Sequence, residues 1–362
     1  MAYYPRLVTN LSLIKHNAKL IRNFLASHGI STIAVTKGTT SHPKIVGAIS
    51  SQGIKYIGDS RILNIKKAKQ VYPHLSYVLL RLPMLSEIED VVSFTDISLN
   101  SELEVIGALG QASKRYGVIH KVILMVDVGD RREGILPDDF LSFVKKAKEV
   151  DGIKIVGVGT NFACFGGVLP DEKNLSLLSE ISQDAEDILG YPLEFVSGGS
   201  TSSIYLVSRG KMPKKINNLR IGTGILLGID DIRDIEIEGA KKDTFYLEAQ
   251  IIELKEKPSM PFGEIAKDAF GNVPHFEDKG IRKRAILGIG KQDVILSSLK
   301  PIDEKVEIVG GSSDHMILDV TASDINYKIG DIIRFRVAYT AMLYLFNSSY
   351  VTKKFIEEVD SE

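Results

Sequence analysis

Cysteine is almost missing from this sequence: among 362 residues, Cys164 stands alone. A single thiol makes neither an internal disulfide framework nor a thiolate-rich zinc site. The seven histidines (16, 28, 42, 74, 120, 275 and 315) show no paired ligand spacing, so no metal is expected. No apolar run reaches the length of a membrane span. The start, MAYYPRLVTN, lacks a charged segment followed by an apolar one, and a cytoplasmic protein is expected. An excess of one charge is also lacking. The net charge is -1 and no lysine and arginine cluster is interleaved with aromatics, so neither nucleic acid nor membrane is an expected partner. Internal repeats and low-complexity tracts are absent from the sequence. No Gly-x-Ser-x-Gly elbow occurs, which removes that route to a serine nucleophile. Gly288-Ile289-Gly290 lacks the third glycine and the following helix of a dinucleotide fingerprint.

What is present is an ordinary globular composition, 44% hydrophobic and 25% charged, in a chain long enough for one large domain and a smaller one. A small-molecule ligand is expected. Over the first two thirds, β-branched runs alternate with amphipathic helical stretches. The patterning predicts strands over 32–36, 56–58, 77–81, 96–99, 121–127, 154–159, 193–197 and 219–222. Helices are expected over 11–27, 43–51, 60–71, 101–116, 138–149 and 171–189. Eight strands separated by helices imply parallel pairing and a closed barrel, with an open doubly wound sheet as the alternative. After about Asp230, helical spacing disappears, and 245–254, 284–289, 306–309, 316–320 and 332–337 look like strands between turns. Residues 263–279 read as a loop. The expected fold class is therefore α/β: a (β/α)8 TIM-type barrel over 1–230, followed by a mostly β C-terminal domain over 231–362. The charged end EEVDSE reads as a frayed tail.

Lys37 follows the apolar run Ile33-Ala34-Val35-Thr36 and precedes Gly38, a buried strand ending in a tight turn. Burial lowers an ammonium pKa, and the neutral amine is the nucleophile that forms a Schiff base with a carbonyl. On position alone, a lysine snorkelling into solvent is the favoured reading, and the rest of the chain reverses it. In a (β/α)8 barrel, catalytic residues gather at the carboxyl ends of strands, and phosphate often binds after the last two. Those loops here are Ser197-Gly198-Gly199-Ser200-Thr201-Ser202-Ser203 and Arg220-Ile221-Gly222-Thr223-Gly224. Either alone fits an ordinary turn or helix cap; both at the expected pair of strands favour a phosphate site. The segment Asp127-Val128-Gly129-Asp130-Arg131-Arg132-Glu133-Gly134 ends the fifth strand. A solvated turn with internal ion pairs accounts for Asp130, Arg131 and Glu133, while Arg132 is placed inward as a fixed cation for an oxyanion. The sixth strand ends in Gly159-Thr160-Asn161-Phe162-Ala163-Cys164, and Cys164 is read as a small core residue in preference to a rim thiol.

A reactive strand-end lysine, a phosphate cup and an inward arginine together describe a site for pyridoxal 5'-phosphate. With these residues in their order and spacing, the chain resembles the alanine racemase family of fold-type III enzymes, and within it an ornithine racemase-like branch. The resemblance spans nearly the whole length. Its most specific parts are 34–38, 127–134, 159–162, 197–203, 219–228, 312–315 and 317–319. It implies that Lys37 holds the cofactor and moves the α-proton on one face, that Arg132 contacts the phenolic oxygen, and that Arg220 faces the pyridine nitrogen. It also implies that Asn161 takes the place of a family histidine on the rim. By the same resemblance, Ser200, Thr201, Gly222 and Thr223 line the phosphate, and Tyr339 of the second domain closes over it.

The departures carry as much information. Ser41 stands where the family has a tyrosine four residues after the lysine, and Met125 stands where many members carry a lysine that becomes carbamylated. The segment that holds the family's second base, a tyrosine from the partner subunit, reads Leu287-Gly288-Ile289-Gly290-Lys291. Another residue must then serve the opposite face, and Asp314 and His315 are the first candidates, with a backbone-satisfying turn as the alternative. The expected activity is racemisation of a free basic amino acid such as ornithine or lysine, by a head-to-tail homodimer. Two alternatives stand beside it. A basic amino-acid decarboxylase on the same fold would typically carry a β-domain cysteine and a glutamate at the pyridine nitrogen, where this chain has Ser313 and Arg220. A non-catalytic pyridoxal phosphate-binding protein would usually be a barrel alone.

Overall fold

The computed structural model describes residues 3–357, so 358–362 of the charged end lie outside the described residues. The chain forms two compact units. Ser12–Lys242 makes the first, and the second joins residues 3–11 to 243–357.

In chain order, the elements up to residue 227 are β1 (Arg6–Asn10), α1 (Leu11–Ser27), β2 (Ser31–Val35), α2 (Pro43–Ser50), β3 (Tyr56–Asp59), α3 (Ile62–Val71), β4 (Ser76–Leu79), α4 (Ile88–Phe94), β5 (Ile97–Asn100), α5 (Leu103–Tyr116), β6 (His120–Met125), α6 (Pro137–Lys148), β7 (Ile153–Gly159), α7 (Glu172–Leu189), β8 (Phe195–Ser197), α8 (Ile204–Ser208), β9 (Asn218–Ile221) and α9 (Thr223–Leu227). Strands β2 to β9 pair in parallel in sequence order, and β9 returns to β2 through Ser31↔Asn218 to Ala34↔Ile221. The sheet is thus a closed (β/α)8 barrel, and the open-sheet alternative is set aside.

Local chemistry sets the helix ends. Asp171 and Asn174 form a capping box at the start of α7, and Gly190 ends it at φ 81°. Pro137 opens α6, with Asp138 and Asp139 in the first turn and Lys145, Lys146 and Lys148 in the last, so both ends suit the helix dipole. Residues two apart on β5 (Ile97, Leu99) and β6 (Ile123, Met125) join Ile33, Val78 and Phe195 in one buried cluster, the inner face of the barrel. Each such side chain contributes roughly 1.5–3 kcal/mol by leaving water. Gly157 in β7 lets the backbone come close: a Cβ there would lie 2.5 Å from the Phe195 carbonyl oxygen.

The second unit is built from β12 (Phe245–Pro258), β13 (Ile281–Leu287), β14 (Leu299–Pro301), β15 (Glu307–Gly311), β16 (Met316–Asp319), β17 (Ile332–Val337), α10 (Tyr339–Asn347) and β18 (Thr352–Ile356). Their order is β14-β17-β12-β13-β16-β15, and β1 adds to this sheet by pairing antiparallel with β12 and parallel with β18. Glu248, near the start of β12, is buried; it accepts from Arg6 on β1 and from Arg334 Nε on β17 at 3.0 Å. Two arginines from flanking strands thereby neutralise a carboxylate that would otherwise be costly to bury. The loop expected over 263–279 carries neither helix nor strand.

The division differs from the expected 1–230 and 231–362 at two places. Residues 3–11 belong with the second unit, because β1 finds its partners there. The first unit runs on to Lys242 because the ribbon of β10 (Ile229–Asp230) and β11 (Ile235–Glu236) is followed by Lys241, whose N–H and C=O are both held by the Asn17 side chain of α1 at 2.7 and 2.8 Å.

Candidate active site

Strand β2 hands its last ladder bond to Thr36, whose N–H donates to Gly58 O at 2.9 Å, and Lys37 then opens a short 3-10 turn over Lys37–Thr39. The chain reverses through two left-handed residues, Thr40 (φ 51°) and Ser41 (φ 46°). Neither is glycine, so this conformation costs on the order of 1 kcal/mol or more per residue and must be held from outside. The buried hydroxyl of Ser41 provides the hold: it lies 2.7 Å from Thr36 Oγ1 and donates to Asp59 Oδ2 at 2.7 Å. Asp59 ends β3 and also accepts from Arg61 N at 2.8 Å and Asn64 Nδ2 at 3.1 Å. Burial raises its pKa, against the lowering effect of those hydrogen bonds.

Lys37 has a lowered pKa. Burial is the main cause, with Arg132 and Arg220 pushing the same way and Cys164 and Asp59 opposing. These four residues therefore surround the amine closely enough to act on its charge. Arg220, on β9, is only 4% exposed and donates to Ser197 Oγ at 2.6 Å, Thr160 O at 2.5 Å and Asn161 Oδ1 at 2.7 Å. Burial among these uncharged acceptors brings its pKa down to about 10, so it stays a cation at neutral pH. Arg132 donates through Nη2 to Glu133 Oε1 at 2.6 Å. Arg131 at φ 56° and Gly134 at φ 128° shape this turn, and a Cβ on Gly134 would meet Asp127 N at 2.6 Å.

The loops after β8 and β9 meet at Thr201, whose Oγ1 accepts from Gly222 N at 3.3 Å and Gly224 N at 3.2 Å. Ser200 Oγ lies 3.3 Å from Ser202 Oγ, and the Thr223 hydroxyl donates to Asp231 Oδ1 at 2.7 Å.

The structure thus gathers Lys37, Arg132, Asn161 and Arg220 at one rim, and joins Thr201 to the Gly222–Gly224 turn at another part of the same barrel end. Cys164 corrects the core reading: it is exposed, and its thiol donates to Phe162 O at 3.1 Å. Tyr339, Asp314 and His315 are residues of the second unit. Tyr339 begins α10, while Asp314 and His315 lie exposed between β15 and β16. Asp314 accepts from Gln292 Nε2 at 2.6 Å and from Ser313 Oγ at 3.1 Å. Its turn packs on the segment where the family tyrosine is missing: Lys291 N donates to Ser312 O at 2.8 Å, and a Cβ on Gly290 would lie 2.2 Å from Ser313 O. Sequence reasoning missed Asp59 and Glu133. A lone acid at a strand end and one acid among several in a charged turn give no signal of facing inward. Among the described residues, no group of three or more His, Cys, Asp or Glu side chains could hold a metal.

A half-buried lysine of lowered pKa at a strand end of a (β/α)8 barrel, with two arginines acting on its charge and a β sheet following in the chain, defines the class of lysine-dependent barrel enzymes. The comparisons narrow this. The model of the alanine racemase N-terminal domain matches residues 9–229. Over 354 residues the chain is 46% identical to the ornithine racemase of Acetoanaerobium sticklandii, covering 98% of this chain and all of that one. It is 39% identical over 350 residues to the lysine racemase of Thermotoga maritima, covering 97% of this chain and 98% of that one. Among solved structures, the alanine racemase of Clostridium difficile 630 superposes with a TM-score of 0.78 at 16% identity, covering 99% of this chain and 97% of that one. The Bartonella henselae alanine racemase, solved with covalently bound pyridoxal phosphate, gives 0.74 at 16% identity, covering 98% and 100%. The chain belongs to the alanine racemase family.

Proposed function

We propose that this protein is a pyridoxal 5'-phosphate-dependent racemase of a basic amino acid, with ornithine or lysine as substrate. The observation that carries the reading is Lys37 itself, an amine of lowered pKa on a strained turn between two arginines. The donor set fits the cofactor. Three cationic side chains converge on this rim, and Arg220 has only neutral direct acceptors, which suits a ligand carrying a phosphate, a phenolate and a ring nitrogen. Full-length similarity to an ornithine racemase and a lysine racemase supports the substrate class.

Pyridoxal 5'-phosphate, when bound, supplies the conjugated ring that withdraws electrons from the substrate Cα and acidifies its hydrogen. The chain does the rest. Lys37 would hold the cofactor through Nζ and take the α-proton on one face; its lowered pKa keeps more of the amine in the neutral, proton-accepting form than an exposed lysine would. Arg132 would hold the phenolic oxygen. Arg220, cationic at neutral pH, would donate to the ring nitrogen and keep it unprotonated, weakening the electron sink and limiting side reactions. Asn161 holds Arg220 in place. Ser200, Thr201, Gly222 and Thr223 would line the phosphate, and Tyr339 would close over it. Asp314 and His315 would protonate the opposite face. Supporting this, their turn packs on the 287–291 segment that carries the second base in relatives by the resemblance. Since that base comes from a partner subunit in the family scheme, the working unit is a head-to-tail homodimer acting on free amino acids in the cytoplasm. No helix among the described residues is long and apolar enough to cross a membrane.

The test is incubation of the cofactor-loaded protein with L- and D-amino acids in deuterium oxide, reading Cα exchange and chirality together. Deuterium at Cα with inversion of ornithine or lysine is expected. Release of carbon dioxide would point to a decarboxylase, and no exchange with any amino acid would leave only cofactor binding.

A further inference from the structure

By sequence Glu133 is half of a surface ion pair, yet its side chain is only 15% exposed. Oε1 accepts from Arg132 Nη2 at 2.6 Å and also from Asn161 Nδ2, while Oε2 accepts from Arg132 Nε. The other end of that amide, Asn161 Oδ1, accepts from Arg220 Nη2 at 2.7 Å. One carboxylate therefore reaches both arginines, the first directly and the second through a single amide. The neighbouring acids are engaged elsewhere. Asp127 accepts from Gly129 N and Arg131 N, and Asp130 from Cys164 N and Phe165 N. A carboxylate on Nδ2 also fixes which way the Asn161 amide points, because the remaining oxygen must then face the guanidinium.

We propose that Glu133 is a positioning residue: it sets Arg132 and Arg220 at a fixed spacing through Asn161 and supplies the negative charge that offsets both guanidinium groups beside Lys37. This rests on the racemase reading of the site. The charged and titratable groups acting on the Lys37 nitrogen are Cys164, Arg132, Asp59 and Arg220, and Glu133 acts on both of those arginines, so neutralising Glu133 removes one of the negative charges that offset them and leaves Cys164 and Asp59. A positive nitrogen at that position is then less favoured.

The experiment compares wild type with Glu133→Gln, which keeps size and an acceptor but loses charge. In the cofactor-loaded proteins, the pH midpoint of the imine absorbance band is expected to fall by about one pH unit. The value of kcat should fall about tenfold with KM nearly unchanged, and Glu133→Asp should recover part of it. Without cofactor, Glu133→Gln should melt close to wild type. An unchanged midpoint together with unchanged kcat overturns the inference. Should wild type show no imine band, the cofactor reading fails instead. The network is then judged in cofactor-free protein by a cycle of Glu133→Ala and Asn161→Ala. A coupling of about tenfold in the unfolding equilibrium is expected, and strict additivity overturns the proposal.

Discussion

Asp59 is the side chain whose loss should be felt furthest from its own position. In Asp59→Ala the Ser41 hydroxyl loses its buried acceptor, at a cost of about 1–3 kcal/mol, and the bonds from Arg61 N and Asn64 Nδ2 add about 0.5–1.5 kcal/mol each. Arg61 is exposed and Asn64 is half-buried, so water recovers part of theirs; Ser41 is buried and can turn only to Thr36. A total of about 2–4 kcal/mol follows, and it falls on the left-handed turn at Thr40 and Ser41. Native-state hydrogen exchange isolates this opening from the second unit: the Ser41 N–H, bonded to Thr36 O at 3.1 Å, should exchange at least about 30-fold faster, 2 kcal/mol at 1.4 per tenfold. Asp59→Asn adds a test of sign. The folded protein raises the Asp59 pKa above its ordinary 3.8, so it binds this proton more tightly than the unfolded chain does. The wild-type advantage over Asp59→Asn is therefore greatest in acid, below the ordinary carboxylate range, and declines as pH rises through the raised value. A wild-type advantage that grows with pH, or Ser41 exchange unchanged in Asp59→Ala, would refute the reasoning.

Lys37→Met in cofactor-free protein should be more stable than wild type at neutral pH. The unfolded chain holds the Lys37 proton more tightly than the fold does, so the gap should shrink as pH climbs through the lowered value toward 10.5, which melting curves at several pH values will check. Glu248→Ala strands Arg6 and Arg334 without their shared acceptor; a loss of about 3 kcal/mol is expected in denaturant titration, tempered by the exposure of Arg334. Gly157→Ala forces a methyl against the Phe195 carbonyl and should cost about 1–3 kcal/mol of barrel stability by the same titration.

The barrel was legible because each β-branched run lies one helix away from its partner in space, so local periodicity carries the topology. All eight expected strands lie within two or three residues of β2 to β9. The helix α4 escaped because seven residues with a Val-Val pair give too little helical spacing to read. The helix α10, YTAMLYLFN, is apolar along most of its length and has no charged residue to mark its exposed face. For β1, the partners are more than 230 residues away, and nothing in RLVTN names them. At the site, Lys37 stands out because a strand-end cation before a glycine is unusual, whereas Arg220 is given its place only by the family resemblance. Glu133 could not: beside Arg132 in sequence it looks like half of an ion pair on the surface, and only the left-handed Arg131 and the glycine at 134 turn it inward.

The pairing of β1 with β18 matches Arg6 to Thr352 and Asn10 to Ile356, so β1 waits for a strand made more than 340 residues after it. During synthesis the barrel strands, all made by residue 221, can close while β1 is still without its neighbours, and this sheet is completed only once β18 has been made. Docking β1 is thus a late, concentration-independent step of maturation.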